Sequence, residues 1–170
     1  MGSIREALNL GCGNDYRESI EDIHWVNADS GKCKKDVHMN MEWHTWPFKD
    51  DTFDLIEAIQ VLEHMHKYKF IDVIREMYRV TKDGGEWLIA VPHAFSDNFI
   101  TDPTHRMPFS TRTMDYLVDG TPLRELGLIY GWANITLEHI EPPLVDGNQS
   151  IIFHIRVRKN GSEGNDRNDV

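Results

Sequence analysis

Cysteine, positive charge and long apolar runs are all scarce in this chain. Only Cys12 and Cys33 occur among its 170 residues. They stand in no metal-ligand spacing, and free thiols fit a reducing compartment. Lys and Arg total 18 against 28 Asp and Glu, a formal charge of −10. That balance lends no support to a broad phosphate-binding surface, so nucleic acid is not expected as a partner. The longest apolar runs, such as Trp87–Pro92, fall far short of the ~20 residues that a membrane span requires. The N-terminus also lacks the charged and apolar regions of a secretion signal. Together these absences predict a soluble, cytoplasmic protein with no membrane partner.

What is present suffices for one core. A length of 170 residues at 40% hydrophobic content suits one packed domain and is short for two. A single domain is expected over residues 1–159, followed by a polar, Gly-containing tail, 160–170, expected to be disordered. Strand-like and helix-like segments alternate, the pattern of an α/β fold with a parallel sheet and crossover helices. Strands are predicted at Ala7–Leu10, His24–Ala28, Asp36–Met39, Phe53–Ile59 and Glu86–Val91, with a brief helix between the first two. Phe70, Val73, Ile74, Met77 and Val80 recur at helical spacing, and Gly84-Gly85 punctuates the end of that helix. Further helices are predicted from Ser110 as N-cap and from Thr121-Pro122. Ala133–Ile140 and Ser150–Lys159 read as an antiparallel pair at the sheet edge.

The first strand runs directly into "LNLGCGNDY". Gly-x-Gly after a strand lets the backbone turn tightly and approach a ligand where a Cβ would collide. A dinucleotide fingerprint needs a third glycine, so that its helix packs close and aims its N-terminus at a pyrophosphate. Tyr16 occupies that position, and no Gly-Lys-Ser/Thr follows. NAD and a phosphate loop are both disfavoured. A nucleoside without phosphates tolerates the loss, and Asp29, ending "WVNAD" on the second strand, supplies a carboxylate for its ribose hydroxyls.

From Leu8 to about Leu117 the chain resembles the class I S-adenosylmethionine-dependent methyltransferases, in particular the compact type 11 group. The resemblance is carried in order by "LNLGCGN", "VNADS", "DVHMNMEWHTWPFKDDTFDLIEAIQVLEHM", "MYRVTKDGGEWLIAVPH" and "DPTHRMPFSTRTMDYL". It implies a Rossmann-like, doubly wound seven-stranded sheet, mostly parallel with an antiparallel edge strand, and S-adenosylmethionine as cofactor. Carried over by position, Leu10, Gly11, Cys12 and Gly13 would line the methionine part, Asp29 would hold the ribose, and Asn40 with Met41 would flank the adenine. Gln60 would face the amino-acid end. Three departures stand out: Asn9 replaces the usual acidic residue on the first strand, Asn40 replaces an Asp, and few residues precede the first strand. The short start predicts an open site or one covered by another subunit, in a homo-oligomer or with a partner.

Methyl transfer from a sulfonium is an in-line displacement, in which the protein chiefly positions and desolvates. A poorly nucleophilic acceptor also needs a base, and open α/β sheets bind ligands beyond the C-terminal ends of their strands. His64 after the fourth strand, His93 after the fifth, and Asp102 with His105 in "TDPTHRMPF" are the candidate catalytic residues. The same residues admit plainer roles: Glu63-His64 as a helix start, His93 as a strand cap, Asp102 as the anchor of a turn bonding its own backbone two residues on. Glu63 or Asp102 with the three histidines could also bind metal, but their spacing is wide and irregular; no metal is assigned. The leading expectation is methyl transfer to a small molecule or glycan. Aminocarboxypropyl transfer or cleavage of the same cofactor, and an inactive cofactor-binding partner subunit, remain as alternatives.

Overall fold

The structure is a computed structural model and describes residues 4–159; the disorder expected of 160–170 lies outside the described residues. The apolar runs of the central strands are buried or half-buried along most of their length. β1 (Arg5–Leu10), β2 (Ile23–Asp29), β3 (Val37–His38), β4 (Phe53–Ile59), β5 (Thr81–Pro92), β6 (Leu137–Val145) and β7 (Ser150–Val157) form one seven-stranded sheet in the order β3-β2-β1-β4-β5-β7-β6. β1 is parallel to β2 and to β4, β2 to β3, and β4 to β5, whereas β7 runs antiparallel to both β5 and β6. The reversed strand therefore lies one position in from the edge, and β6 forms the edge itself.

Between β4 and β5 the crossover is the α-helix α1 (Phe70–Val80), which buries Phe70, Val73, Ile74, Met77 and Val80. Each such side chain stabilises by roughly 1.5–3 kcal/mol on full burial. Glu76 on the same face is also buried, and accepts a hydrogen bond from the Trp46 N–H at 2.6 Å and two from the Arg79 guanidinium at 2.7 and 2.8 Å. Thr81 ends the helix, its hydroxyl donating to the Met77 carbonyl and accepting from the Trp87 indole.

Three expectations are corrected. The predicted brief helix between β1 and β2 does not form: residues 11–22 are turns and irregular chain, too short a link to complete a helix and return. β6 begins at Leu137 rather than Ala133, because Trp132 to Thr136 are still closing the short helix α3 (Arg124–Ile129), with the Trp132 N–H donating to the Gly127 carbonyl. The helix expected from Ser110 is a 3-10 turn at Thr113–Tyr116. Sequence reasoning also missed α2 (Asp97–Thr101), which Ser96 caps by accepting from the Phe99 N–H at 3.1 Å.

Candidate active site

The strand order reverses between β1 and β4, and the crevice beyond their C-terminal ends is where such sheets take ligands. Gly11 turns the chain out of β1 at φ +66° and Gly13 continues it at +49°. No side chain could replace the hydrogen at Gly11, since a Cβ would stand 2.1 Å from a Val61 methyl. Asp29 closes the turn: one carboxylate oxygen accepts from the Gly13 N–H at 3.0 Å and the other from the Gly31 N–H. Burial alone would raise the pKa of this carboxyl, but the two backbone bonds outweigh it and hold it below the usual value. The ionised oxygens keep further lone pairs for a pair of ribose hydroxyls.

Leu10, Gly11, Asp29, Asn40 and Met41 line a common cavity of about 60 Å³ with Ser30, Met39 and Val61. The structure thus gathers the expected nucleoside residues from three separate loops. Cys12 is buried behind them, and Gln60 stands at the end of β4 in a left-handed conformation with φ +52°. The donors fit an adenosyl ligand: a positive-φ glycine turn, an ionised carboxylate at the second strand, and no helix N-terminus aimed at a phosphate. Asn9 does not face this crevice as a free group. Its amide is buried and donates to the Asp15 carbonyl at 2.7 Å and to Asn27 Oδ1 at 3.1 Å, tying down the loop after the turn.

Past Val61 the chain makes a 3-10 turn, Leu62–His64, that buries Leu62 and Glu63. Glu63 is 1% exposed, and its Oε2 has no hydrogen-bond partner. Burial pushes its carboxyl up to about 7, with the charge of Asp102 adding to the rise. The loop after β5 folds back over this turn, with the N–H groups of Arg106 and Met107 both donating to the Glu63 carbonyl, at 2.7 and 2.9 Å. Its ends are pinned together, because His93 bridges Phe109 and the Ala94 N–H donates to the Phe109 carbonyl at 2.8 Å.

This docking brings His64, Asp102 and His105 together. Asp102 Oδ1 accepts from the Thr104 N–H at 2.8 Å and from its hydroxyl at 2.6 Å, the turn that "DPTH" predicts. With its proton directed at Asp102, the Thr104 hydroxyl accepts from His64 Nδ1 at 2.9 Å. His105 Nδ1 donates to the Phe99 carbonyl at 3.1 Å. The hydrogen-bond network therefore fixes the proton of both neutral rings on Nδ1 and leaves both Nε2 atoms as lone-pair donors. His105 Nε2 lies 3.9 Å from Glu63 Oε1 and 3.6 Å from Asp102 Oδ2. Burial, reinforced by the neighbouring His105, holds the pKa of His64 below its usual value.

His93 is not drawn into this group: its Nδ1 accepts from the Phe95 N–H at 3.2 Å, the strand-capping role. Arg106 turns aside to donate to His66 Nε2 at 2.9 Å. Sequence reasoning missed Thr104, the residue that links Asp102 to His64, although a Thr two positions after an Asp in a turn was the available signal.

A family model described as a methyltransferase domain matches residues 19–89. An uncharacterised protein of Methanocaldococcus jannaschii is 31% identical over 103 residues, which is 58% of this chain and 43% of that protein; the chain thus spans less than half of that relative. Among solved structures, an S-adenosylmethionine-dependent methyltransferase from Archaeoglobus fulgidus superposes with a TM-score of 0.59 at 16% identity, over 90% of this chain and 86% of the other. A methyltransferase-like structure from Bacillus halodurans gives a TM-score of 0.57 at 14% identity, over 94% and 95%. A methyltransferase domain is thus matched over part of the chain, and the fold of the described residues is that of these methyltransferase structures. S-adenosylmethionine is the corresponding cofactor. Among the described residues no helix is long and apolar enough to cross a membrane.

Proposed function

We propose that the domain expected over residues 1–159 methylates a small-molecule or glycan acceptor, with the cofactor in the Gly11–Asp29 crevice and the acceptor at Glu63, His64, Asp102 and His105. One observation carries the reading. Val61 closes over Gly11, and the next residues of the same turn present Glu63 and His64, so the nucleoside cleft and the histidine cluster meet at one strand end.

When bound, S-adenosylmethionine supplies an electrophilic methyl group, with its sulfur taking the electron pair of the broken bond as the acceptor forms the new one. Asp29 anchors the ribose, Leu10 to Gly13 and Gln60 border the methionine part, and Asn40 with Met41 flank the adenine. The carbonyl of Phe99 orients His105, and Thr104 orients His64, so that their Nε2 lone pairs are available to hold or remove an acceptor proton. A cavity of about 420 Å³, walled by Phe70, Met107, Tyr116 and Trp132, begins two residues past His105. Its volume and mixed lining suit a small organic ligand. A larger cavity of about 620 Å³ beside Asp50 and Lys159 opens at the opposite end of the strands and is not part of this site.

Calorimetric titration with S-adenosylmethionine, S-adenosylhomocysteine and NAD in parallel tests the cofactor half. Binding of the two adenosyl compounds but not NAD is expected, and binding of none would overturn the reading. Asp29→Ala should weaken both by about 1.5–3 kcal/mol, the range of charge-assisted hydrogen bonds. With an acceptor found by screening hydroxylated small molecules and glycans, His105→Ala should lower turnover by about 10²–10⁴-fold with adenosylhomocysteine affinity intact. Release of methylthioadenosine instead of a methylated product would favour aminocarboxypropyl transfer.

A further inference from the structure

The Glu63–His64–His105 cluster gathers three electron-pair donors. One ligand atom from each of the three residues lies within 4.8 Å of the other two. Glu63 is more than nine-tenths buried, and its Oε2 has no donor of any kind. A lone buried carboxylate oxygen is costly unless a hydrogen bond or a cation meets it. The nearest neighbours cannot supply the hydrogen bond, because both imidazoles spend their Nδ1 protons elsewhere: His64 on Thr104, His105 on the Phe99 carbonyl. A carboxylate oxygen and one ring nitrogen of each histidine therefore converge, His105 through its Nε2 at 3.9 Å from Glu63 Oε1, with Asp102 Oδ2 adding a fourth donor 3.6 Å from His105 Nε2.

We infer that Glu63, His64 and His105 bind a divalent transition-metal ion, with Asp102 beside it and open positions left for an oxygen of the acceptor. Two imidazoles and a carboxylate are the donor set of open, catalytic-type zinc and non-haem iron sites. Imidazole ligands in such sites carry their other N–H on a carbonyl or on a carboxylate-linked group, which fixes the ligating tautomer; Phe99 and the Thr104–Asp102 pair fill those roles here. Ligands at about 2.0–2.2 Å from a tetrahedral ion stand roughly 3.3–3.6 Å apart, so the three groups, now 3.9 to 4.8 Å apart, must draw in by about 0.5–1.5 Å. The second cluster of this kind, Cys12, Asp29 and Cys33, is a poorer host. Its carboxylate already accepts two backbone N–H bonds, and burial pushes the Cys12 thiol up to about 12, so that binding there would have to displace a more tightly held proton. The inference rests on the cluster being the acceptor side, and makes an ion rather than a proton its first occupant.

The test is titration of the chelator-treated full chain with Co²⁺, read by calorimetry and by the visible d–d spectrum, followed by displacement with Zn²⁺. One equivalent is expected, without a thiolate charge-transfer band. His64→Ala and His105→Ala should each abolish the visible spectrum, and Thr104→Val, which removes only an outer partner, should weaken binding about 10–100-fold. Far-UV circular dichroism and adenosylhomocysteine titration establish that each variant is folded. Absence of cobalt binding to the wild-type chain, a thiolate band, or unchanged binding by folded His105→Ala would overturn the inference. Adenosylhomocysteine binding without cobalt binding would remove the metal and leave the methyltransferase reading standing; cobalt binding without any adenosyl compound would do the reverse.

Discussion

Gly11 and Gly13 differ in what a methyl group would meet. At Gly13 an added Cβ has only the Gly11 carbonyl, 4.0 Å away, whereas at Gly11 it would strike Val61 at 2.1 Å. Both adopt left-handed backbone, which costs an L-residue roughly 1–2 kcal/mol. Gly13→Ala should lose about that much in chemical denaturation, and Gly11→Ala distinctly more. Adding Val61→Ala to Gly11→Ala should recover part of the excess, a coupling that a double-mutant cycle measures. The glycine turn and Asp29 were legible in the sequence because each is a local feature at a strand end. The Gly13 and Gly31 N–H groups that Asp29 meets were not legible, and Glu63, His64, Asp102 and His105 were legible as candidates for one site but not in the contacts that unite them. Glu63 and His105 are far apart in the chain, and the backbone bonds of Arg106 and Met107 to the Glu63 carbonyl that unite them leave no periodic trace.

Elements repeat this contrast between local and long-range causes. α1 was legible from the spacing of its apolar residues alone, yet its polar anchor was not, because Glu76 reaches across to the Trp46 N–H. Burial raises the pKa of Glu76, and its bonds from Arg79 and Trp46 more than reverse that, holding it below 4.5. A depressed carboxyl contributes stability that is present above its unfolded pKa and lost as pH falls through the folded one. Glu76→Gln should therefore flatten the acid limb of the Tm–pH curve below about pH 4.5. Glu76→Ala, which leaves the Trp46 N–H without its acceptor while Arg79 keeps Asp50 and the Phe48 carbonyl, should lose about 1–3 kcal/mol near neutrality. The short elements α2 and the 3-10 turn at Thr113–Tyr116 escaped correct assignment because a single turn presents too few residues for periodicity to show.

Across the whole molecule, protection should follow strand order. β4 and β5 lie inside the sheet with partners on both sides, whereas β3 contributes two residues and β6 pairs with β7 through two register irregularities. Hydrogen exchange should open β3 and β6 first, and β4 with β5 last; early loss of β4 would contradict a core centred on that strand. The doubly wound seven-stranded sheet was expected through family resemblance and the antiparallel pair at its edge already from the last two strand-like segments, whereas the order of the strands was not legible, since no residue pattern by itself reveals which strands become neighbours. The bare connection between β1 and β2 was not expected, for the alternation of segments suggested a brief helix where the chain had room only for turns.

The loop from His93 to Phe109 begins and ends at one backbone bridge, and it carries Asp102, Thr104 and His105 while contributing nothing to the Gly11–Asp29 crevice. Closure entropy depends only weakly on the length of such a loop. Its interior can be lengthened, shortened or exchanged as a cassette while its two ends stay fastened to the sheet. Under the proposed assignment of the acceptor to this loop, acceptor choice would be modular: a new loop interior would redirect the methyl group while the Gly11–Asp29 crevice stays as it is.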